Sequence, residues 1–276
     1  MSIYNRPKKS LGQNFLHDDN VIQKIIRAFD PRIQDAVLEI GPGRGALTGE
    51  LLSKLSHLTA VELDDELVAS LTEAHGEKLT ILHQDVLTVD LGALARERGK
   101  KLRLIGNIPY NITSPILFHV IDNREWVNDF LVMMQTEVAQ RLVARPRTKE
   151  YGILSIFAQY YASPKLLFGV SKNSFFPAPT VTSAVVSLSF DKPFETTAQS
   201  DELFRTIVRG TFGKRRKTIR NGLKGLNVPP EALDALSINL EQRPEELTVA
   251  DFVQLSNELM PAKGAITPVF SNEENG

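Results

Sequence analysis

The chain of 276 residues is 42% hydrophobic and 24% charged, an ordinary globular composition that excludes disorder throughout and suffices for one large or two modest domains. A formal charge of -1 argues neither for nor against a nucleic-acid partner, but residues 231–276 hold nine acids against two bases, so a basic body carries an acidic end. The lack of cysteine excludes disulfides, thiolate nucleophiles and Cys-ligated metal sites. No HExxH, GxSxG or P-loop pattern occurs, which leaves metalloprotease, α/β-hydrolase and P-loop readings without support. MSIYNRPKKS has no apolar leader core and no run approaches the roughly 18 apolar residues of a membrane span, so a soluble cytoplasmic protein is expected.

After a basic lead, KKSLGQNFL (8–16), the spacing of Val21, Ile22, Ile25, Ile26 and Phe29 behind Asp18 and Asp19 predicts a helix. Short apolar runs then follow at 36–40, 58–62, 79–82 and 102–106, separated by helical patterns such as 46–55 and 64–74. That alternation predicts βαβ units and a parallel sheet. A helix starting at Thr113 or Ser114, with Pro115 in its first turn, precedes a fifth strand at 129–134. A helical stretch at 153–161 and strands at 165–171 and 182–190 bring the strand total to seven. Beyond the turn-rich 191–200 only helical patterns appear, at 201–212, 214–224, 230–238 and 248–259, the last opened by a capping-box-like Thr248 and Asp251. Residues 1–195 thus read as one domain, 196–260 as a small helical one, and 261–276 as a disordered tail.

Four strand ends carry chemistry. Glu39-x-Gly41-x-Gly43-x-Gly45 closes the first strand and opens a helix, where small residues let backbone N–H groups approach a ligand. A glycine-rich turn that binds nothing is the plain alternative, and the spacing departs from the dinucleotide G-x-G-x-x-G pattern. Glu62 ends the second strand, where a carboxylate can accept both hydroxyls of a ribose; Asp85 follows the third, placed to accept an adenine amine. A solvated charge and a turn cap are their plain readings. The fourth strand runs into Asn107-Ile108-Pro109-Tyr110. There the amide oxygen of Asn107 and the next backbone carbonyl oxygen can accept the two hydrogens of a planar exocyclic amine while Tyr110 stacks on its base.

These motifs, together with KSLGQNFLHD (9–18), EIGPGRGALT (39–48), GNIPYN (106–111), FFPAPTVTSAVV (175–186), FGKRRKTIRNGLK (212–224) and RPEELTVADFVQL (243–255), resemble the bacterial 16S rRNA adenine dimethyltransferases, of the rRNA adenine N-methyltransferase family. The resemblance runs from about residue 8 to 259. It implies a Rossmann-like methyltransferase fold with a seven-stranded, mostly parallel sheet and a helical RNA-binding domain. The implied reaction uses S-adenosylmethionine, without a metal, to dimethylate two adjacent adenines in a hairpin loop near the 3' end of 16S rRNA. The implied partner is the small ribosomal subunit, with no membrane and a monomeric enzyme.

Carried over by position, Asn14 and Leu16 close over the cofactor, Gly41, Gly43 and Gly45 approach its methionine portion, Glu62 takes the ribose and Asp85 the adenine. Asn107 borders the cofactor and, with Ile108 and Pro109, receives the target amine, while Tyr110 and Phe175 sandwich the target base. Lys214, Arg215, Arg216, Lys217, Arg220 and Lys224 form a basic run for RNA, against the plain reading of a solvated helix face. Two alternatives share parts of this pattern. A 23S rRNA adenine methylase of the macrolide-resistance type shares QNFL, NIPY and the F-x-P element, and a non-catalytic RNA-binding or transcription-factor relative could keep the fold. A nicotinamide oxidoreductase is more distant.

Overall fold

The seven apolar runs form one sheet because their residues are buried on both faces, as parallel strands covered by helices must be. The computed structural model describes residues 7–8, 12–191, 194–213 and 217–266. Strands β1 (Val37–Ile40), β2 (Leu58–Glu62), β3 (Leu79–His83), β4 (Leu102–Asn107), β5 (Val127–Gln135), β6 (Ser163–Val170) and β7 (Ser183–Ser189) lie in the order 3-2-1-4-5-7-6. Only β7 runs antiparallel, to both β5 and β6. Leu38, Ala60, Leu104 and Val132, on four successive central strands, have no exposed surface.

Two compact units divide the molecule: Met1–Ala139 with Ser163–Lys192, and Gln140–Ala162 with Pro193–Gly276. In the first unit, helices α1 (Asp19–Phe29), α2 (Thr48–Leu52), α3 (Asp65–His75), α4 (Leu91–Arg98) and α5 (Thr113–Asp122) follow the expected alternation. α1 forms as its spacing predicts. Asp18 caps it by accepting from the Asn20 and Val21 amides, and Ile22, Ile25, Ile26 and Phe29 pack with Leu51, Leu58, Ile105 and Met133. α4 lies outside the predicted helices, although Asp90 caps its start and Gly99, at φ 65°, ends it.

Strand order reverses between β1 and β4, the position where open α/β sheets bind ligands. The register there sets Ile40 beside Gly106, and a β-carbon on Gly106 would lie 2.6 Å from the Ile40 carbonyl oxygen. Glycine is what lets the two strand ends close together. A two-residue antiparallel ribbon, Phe15–Leu16 against Phe175–Phe176, adds a second small sheet with no periodicity to announce it.

α6 (Thr136–Leu142) follows β5 in sequence, and α7 (Ile153–Tyr161) belongs to the second unit with α8 (Asp201–Phe212), α9 (Ile219–Gly225), α10 (Pro230–Asp234) and α11 (Val249–Glu258). Aromatic packing explains the grouping: Phe157 and Tyr160 on α7 meet Phe204 on α8 with ring centres 6.1 and 4.3 Å apart. A single cut near residue 195 therefore does not describe the division, because 140–162 returns to the later helices. The Thr248 capping box forms as expected. Met260–Ala265 make a 3-10 helix where a tail was expected from residue 261; residues 267–276 lie outside the described ones.

Arg103 on β4 anchors the amino end of the sheet. Its guanidinium donates to Asp129 on β5 at 3.0 and 3.1 Å, to Asp35 at 2.7 Å and to the Phe29 and Asp30 carbonyls that end α1. Replacing Arg103 with Leu strands two carboxylates in a half-buried site and is expected to lower unfolding free energy by about 3 kcal/mol. Urea denaturation measures this, and a loss smaller than a typical surface substitution contradicts the anchoring role.

Candidate active site

The carboxyl ends of β1, β2 and β4, the turn after β3 and the lead residues 12–16 enclose a cavity of about 220 Å³. Asn14, Leu16, Gly41, Gly43, Glu62, Asp85, Asn107, Ile108, Pro109 and Tyr110 all line it, so ten positions singled out from sequence converge on one space. Its wall also holds residues that lie within the quoted motifs but were given no role from sequence: Gln13, Phe15, Glu39, Arg44 and Asn111.

Glu62 organises the mouth. Its Oε1 accepts the Leu63 and Asp64 amides at 2.9 and 3.0 Å, and its Oε2 accepts the Gly43 amide at 3.2 Å. Three of about four carboxylate lone pairs are engaged, which fixes the group and leaves Oε2 open to a hydroxyl. The glycine loop reaches this carboxylate through positive φ at Gly41, Gly43 and Gly45, 66°, 57° and 83°, a region that disfavours side chains. Gly45 itself does not line the cavity; a β-carbon there would meet Leu71 of α3 at 2.9 Å, so its smallness serves packing.

Asp85 takes its plain reading as a turn cap and also lines the cavity. It caps the 3-10 turn Val86–Thr88 through Oδ1, which accepts the Leu87 amide at 2.9 Å, and it faces the cavity. A ligand amine would fall to Oδ2.

Asn107 closes β4, and its Nδ2 donates to the Asn14 carbonyl at 3.1 Å. That bond assigns the amide orientation and leaves the Oδ1 acceptor for the cavity. The Pro109 carbonyl is taken by Thr113 Oγ1 and the Ile112 amide. The Ile108 carbonyl, by contrast, enters no turn or cap bond among the described residues. The strand end thus offers two acceptors on successive residues, with Tyr110 two positions beyond Ile108. The Tyr110 hydroxyl bonds Ser183 Oγ at 2.5 Å, and Ser183 is fully buried, so the ring is held at its far end. Burial raises the Tyr110 phenol above its ordinary range, against the Ser183 hydrogen bond, and keeps it neutral.

Phe175 takes a place other than the expected one. It is 3% exposed and packs in the core with Leu16 and Val185, outside the cavity lining. Neighbouring strand residues face opposite ways, and it is Phe176, beside Phe15 in the ribbon, that is 59% exposed. The basic run is also altered. Lys214, Arg215 and Arg216 lie outside the described residues. α9 starts at Ile219, after the extended Thr218, rather than at 214, and Arg220 bonds Glu241 at 2.9 Å. Among the described members, Arg220 and Lys224 share a helix face and Lys217 precedes it, exposed.

With this geometry established, comparison with known proteins decides the family. The profile described as Ribosomal RNA adenine dimethylase matches residues 4–260. The chain belongs to that family. It is 45% identical over 258 residues to the ribosomal RNA small subunit methyltransferase A of Acinetobacter baylyi, covering 93% of each protein. The protein of the same name from Xanthomonas axonopodis pv. citri is 46% identical over 252 residues, 91% of this chain and 95% of that one. Among solved structures, a dimethyladenosine transferase from Plasmodium falciparum superposes with a TM-score of 0.75 at 26% identity, covering 91% of this chain and 99% of that one. The 23S rRNA methyltransferase ErmE superposes at 0.66 and 25% identity, covering 89% and 99%. The protein is therefore an enzyme of the ribosomal RNA adenine dimethyltransferase type, with the Rossmann-like methyltransferase sheet of that family.

On the cavity wall, Glu39 is a buried carboxyl that in the sequence marks only the start of the glycine motif. It is 1% exposed on β1 and accepts from Thr48 Oγ1 at 2.8 Å. Burial pushes its pKa up to about 8, opposed by the Thr48 bond and helped by the Glu62 charge. A folded-state value above the unfolded one means stability that is full below pH ~4.5 and is lost as pH rises through the folded value, at about 1.4 kcal/mol per unit. Glu39→Gln is expected to flatten the stability profile between pH 5 and 8. Parallel slopes for both proteins in thermal or urea unfolding contradict a neutral Glu39.

Proposed function

We propose that the cavity binds S-adenosylmethionine and presents its methyl group to the exocyclic amine of adenine, dimethylating two adjacent adenines in a hairpin loop near the 3' end of 16S rRNA. The observation that carries this reading is the paired acceptors at the end of β4. Asn107 Oδ1 is freed for the cavity by the Nδ2 bond to Asn14, and the carbonyl of the next lining residue, Ile108, enters no turn or cap bond among the described residues.

The residues present fit the cofactor. The open lone pair on Glu62 suits a ribose hydroxyl, and a second hydroxyl would displace the long Gly43 bond. Asp85 Oδ2 suits the adenine amine, the Gly41–Gly43 backbone brings N–H groups to the methionine end, and Asn14 and Leu16 form the opposite wall. S-adenosylmethionine supplies an already activated sulfonium methyl with a neutral thioether as leaving group. Little acid–base catalysis is left to the protein, and positioning accounts for up to about 7–11 kcal/mol of barrier reduction. Asn107 Oδ1 and the Ile108 carbonyl accept the amine's N–H bonds and stabilise the positive charge that develops on nitrogen. Tyr110, held by Ser183, stacks on the target base. Once one methyl is attached the amine has a single N–H, so the second transfer proceeds with one of the two acceptors unpaired.

The preference for small-subunit RNA is supported by the names of the relatives at 45–46% identity. The 23S methyltransferase is more distant at 25%. Retention of Glu62, Asp85 and Asn107–Tyr110 supports catalysis over a non-catalytic RNA-binding role. Lys217, Arg220 and Lys224, with Lys214, Arg215 and Arg216, are assigned to rRNA phosphates, and the enzyme to the cytoplasm as a monomer.

Asn107→Ala is expected to lower methyl transfer to undermethylated small subunits by more than tenfold, at least about 1.4 kcal/mol of barrier, with unchanged circular dichroism. Retained turnover refutes the acceptor role. Glu62→Ala is expected to weaken calorimetric S-adenosylmethionine binding by roughly 1–3 kcal/mol, and an unchanged affinity refutes the cofactor assignment.

A further inference from the structure

The wall of the cavity formed by residues 12–16 is fastened from outside by a residue the reaction does not use. Asp64 is 4% exposed, lies beyond the cavity lining and caps α3 by accepting the Glu66 amide through Oδ1. The same carboxylate accepts Lys8 Nζ at 2.8 Å and Gln13 Nε2 at 2.7 Å. Gln13 Oε1 in turn accepts the Lys8 backbone amide at 2.8 Å, so Lys8, Gln13 and Asp64 close a three-membered knot. Every member of it is satisfied, and two of its bonds are charge-assisted or bound to a charged acceptor. Burial works against ionisation of Asp64, but the bonds from Lys8 and Gln13 hold its carboxyl below the ordinary range and keep it charged.

What the knot fixes is the course of the lead. From Gln13 the backbone passes to Asn14, whose carbonyl receives Asn107 Nδ2, and to Phe15 and Leu16, which pair with Phe176 and Phe175. The far end is held by the ribbon and by Asp18, whose Oδ2 accepts Ser174 Oγ at 2.9 Å. The near end is held by Asp64. Because the Asp64 amide donates to Glu62 Oε1, the fastening and the nucleoside-binding carboxylate are set by one turn.

We propose that Asp64 is a positioning residue for cofactor binding: through Gln13 and Lys8 it holds residues 12–16 as the wall that retains S-adenosylmethionine, without touching the cofactor. This rests on the S-adenosylmethionine reading given above. It separates two roles within Glu62-Leu63-Asp64, the first residue contacting the ligand and the third closing the lead over it.

Calorimetric titration of S-adenosylmethionine into the full-length protein tests the proposal with Asp64→Asn, Lys8→Met and the double variant. Asparagine still caps α3 but sets an amide against the Gln13 amide, so the dissociation constant is expected to rise about tenfold. Lys8→Met, which leaves the cap untouched, is expected to raise it about threefold, and the double variant to match Asp64→Asn because both act on one knot. In methyl transfer, KM for S-adenosylmethionine is expected to rise by the same factors while kcat at saturation stays within about twofold, a split that a loss of fold would not produce. Unchanged affinity in Asp64→Asn, or a fall in kcat with constant KM, overturns the proposal. If Asp64→Asn does not fold, unchanged affinity in Lys8→Met overturns it. A wild-type protein that binds no S-adenosylmethionine overturns the cofactor reading itself, whereas wild-type binding with indifferent variants overturns this inference alone.

Discussion

A single half-buried carboxylate at a strand end sets the geometry on which the site depends. Glu62 stands at the end of β2 and gathers three backbone amides from two loops: Gly43 from the turn after β1, and Leu63 and Asp64 from its own. A carboxylate with three donors is held in one place, and every one of those donors belongs to a segment that lines or supports the cavity. The glycine loop can reach it only in left-handed conformations, which explains why small residues recur there. Placement at the reversal of strand order does the rest, since the pairing of β1 with β4 ends at Ile40 and Gly106 and the cavity lies at the carboxyl ends of these strands.

From that carboxylate the site extends in two directions. Through Asp64 it fixes the lead that walls the cavity, and through the lead it reaches Asn107, whose amide is oriented by the Asn14 carbonyl. Glu62 and Asn107, the groups proposed to bind the ligand and accept the amine, are therefore linked through Asp64, Gln13 and Asn14 by hydrogen bonds and the intervening backbone. Such an arrangement suits a reaction in which the methyl donor is already activated and geometry governs the rate. Burial of Glu39 at the start of the glycine motif disfavours a second full charge beside Glu62.

Much of this was legible in the sequence because it depends on local pattern. Apolar runs bounded by turn residues marked all seven strands, and residues at the ends of strands had to converge once the sheet was parallel. What escaped depends on distance or on phase. Phe15–Leu16 is too short to show a period, so neither the ribbon nor its partner was visible. Phe175 and Phe176 are chemically alike, and only the pairing register decides that the first is buried and the second exposed. The Arg220–Glu241 and Lys8–Asp64 pairs join residues 21 and 56 positions apart, which no local spacing reveals. The grouping of α7 with the later helices follows from aromatic contacts with Phe204 rather than from any composition shift near residue 140. α4, by contrast, carried readable cap residues at Asp90 and Gly99.

The central claim is that this geometry delivers methyl groups to the exocyclic amine of adenine in small-subunit RNA. Transfer of labelled methyl from S-adenosylmethionine to undermethylated small subunits, followed by digestion and nucleoside analysis, tests it most directly. The account predicts label in N6,N6-dimethyladenosine from two adjacent positions of 16S rRNA and none in large-subunit RNA treated alike. Label in 23S rRNA, in a nucleoside other than adenosine, or in no RNA despite S-adenosylmethionine binding would contradict it.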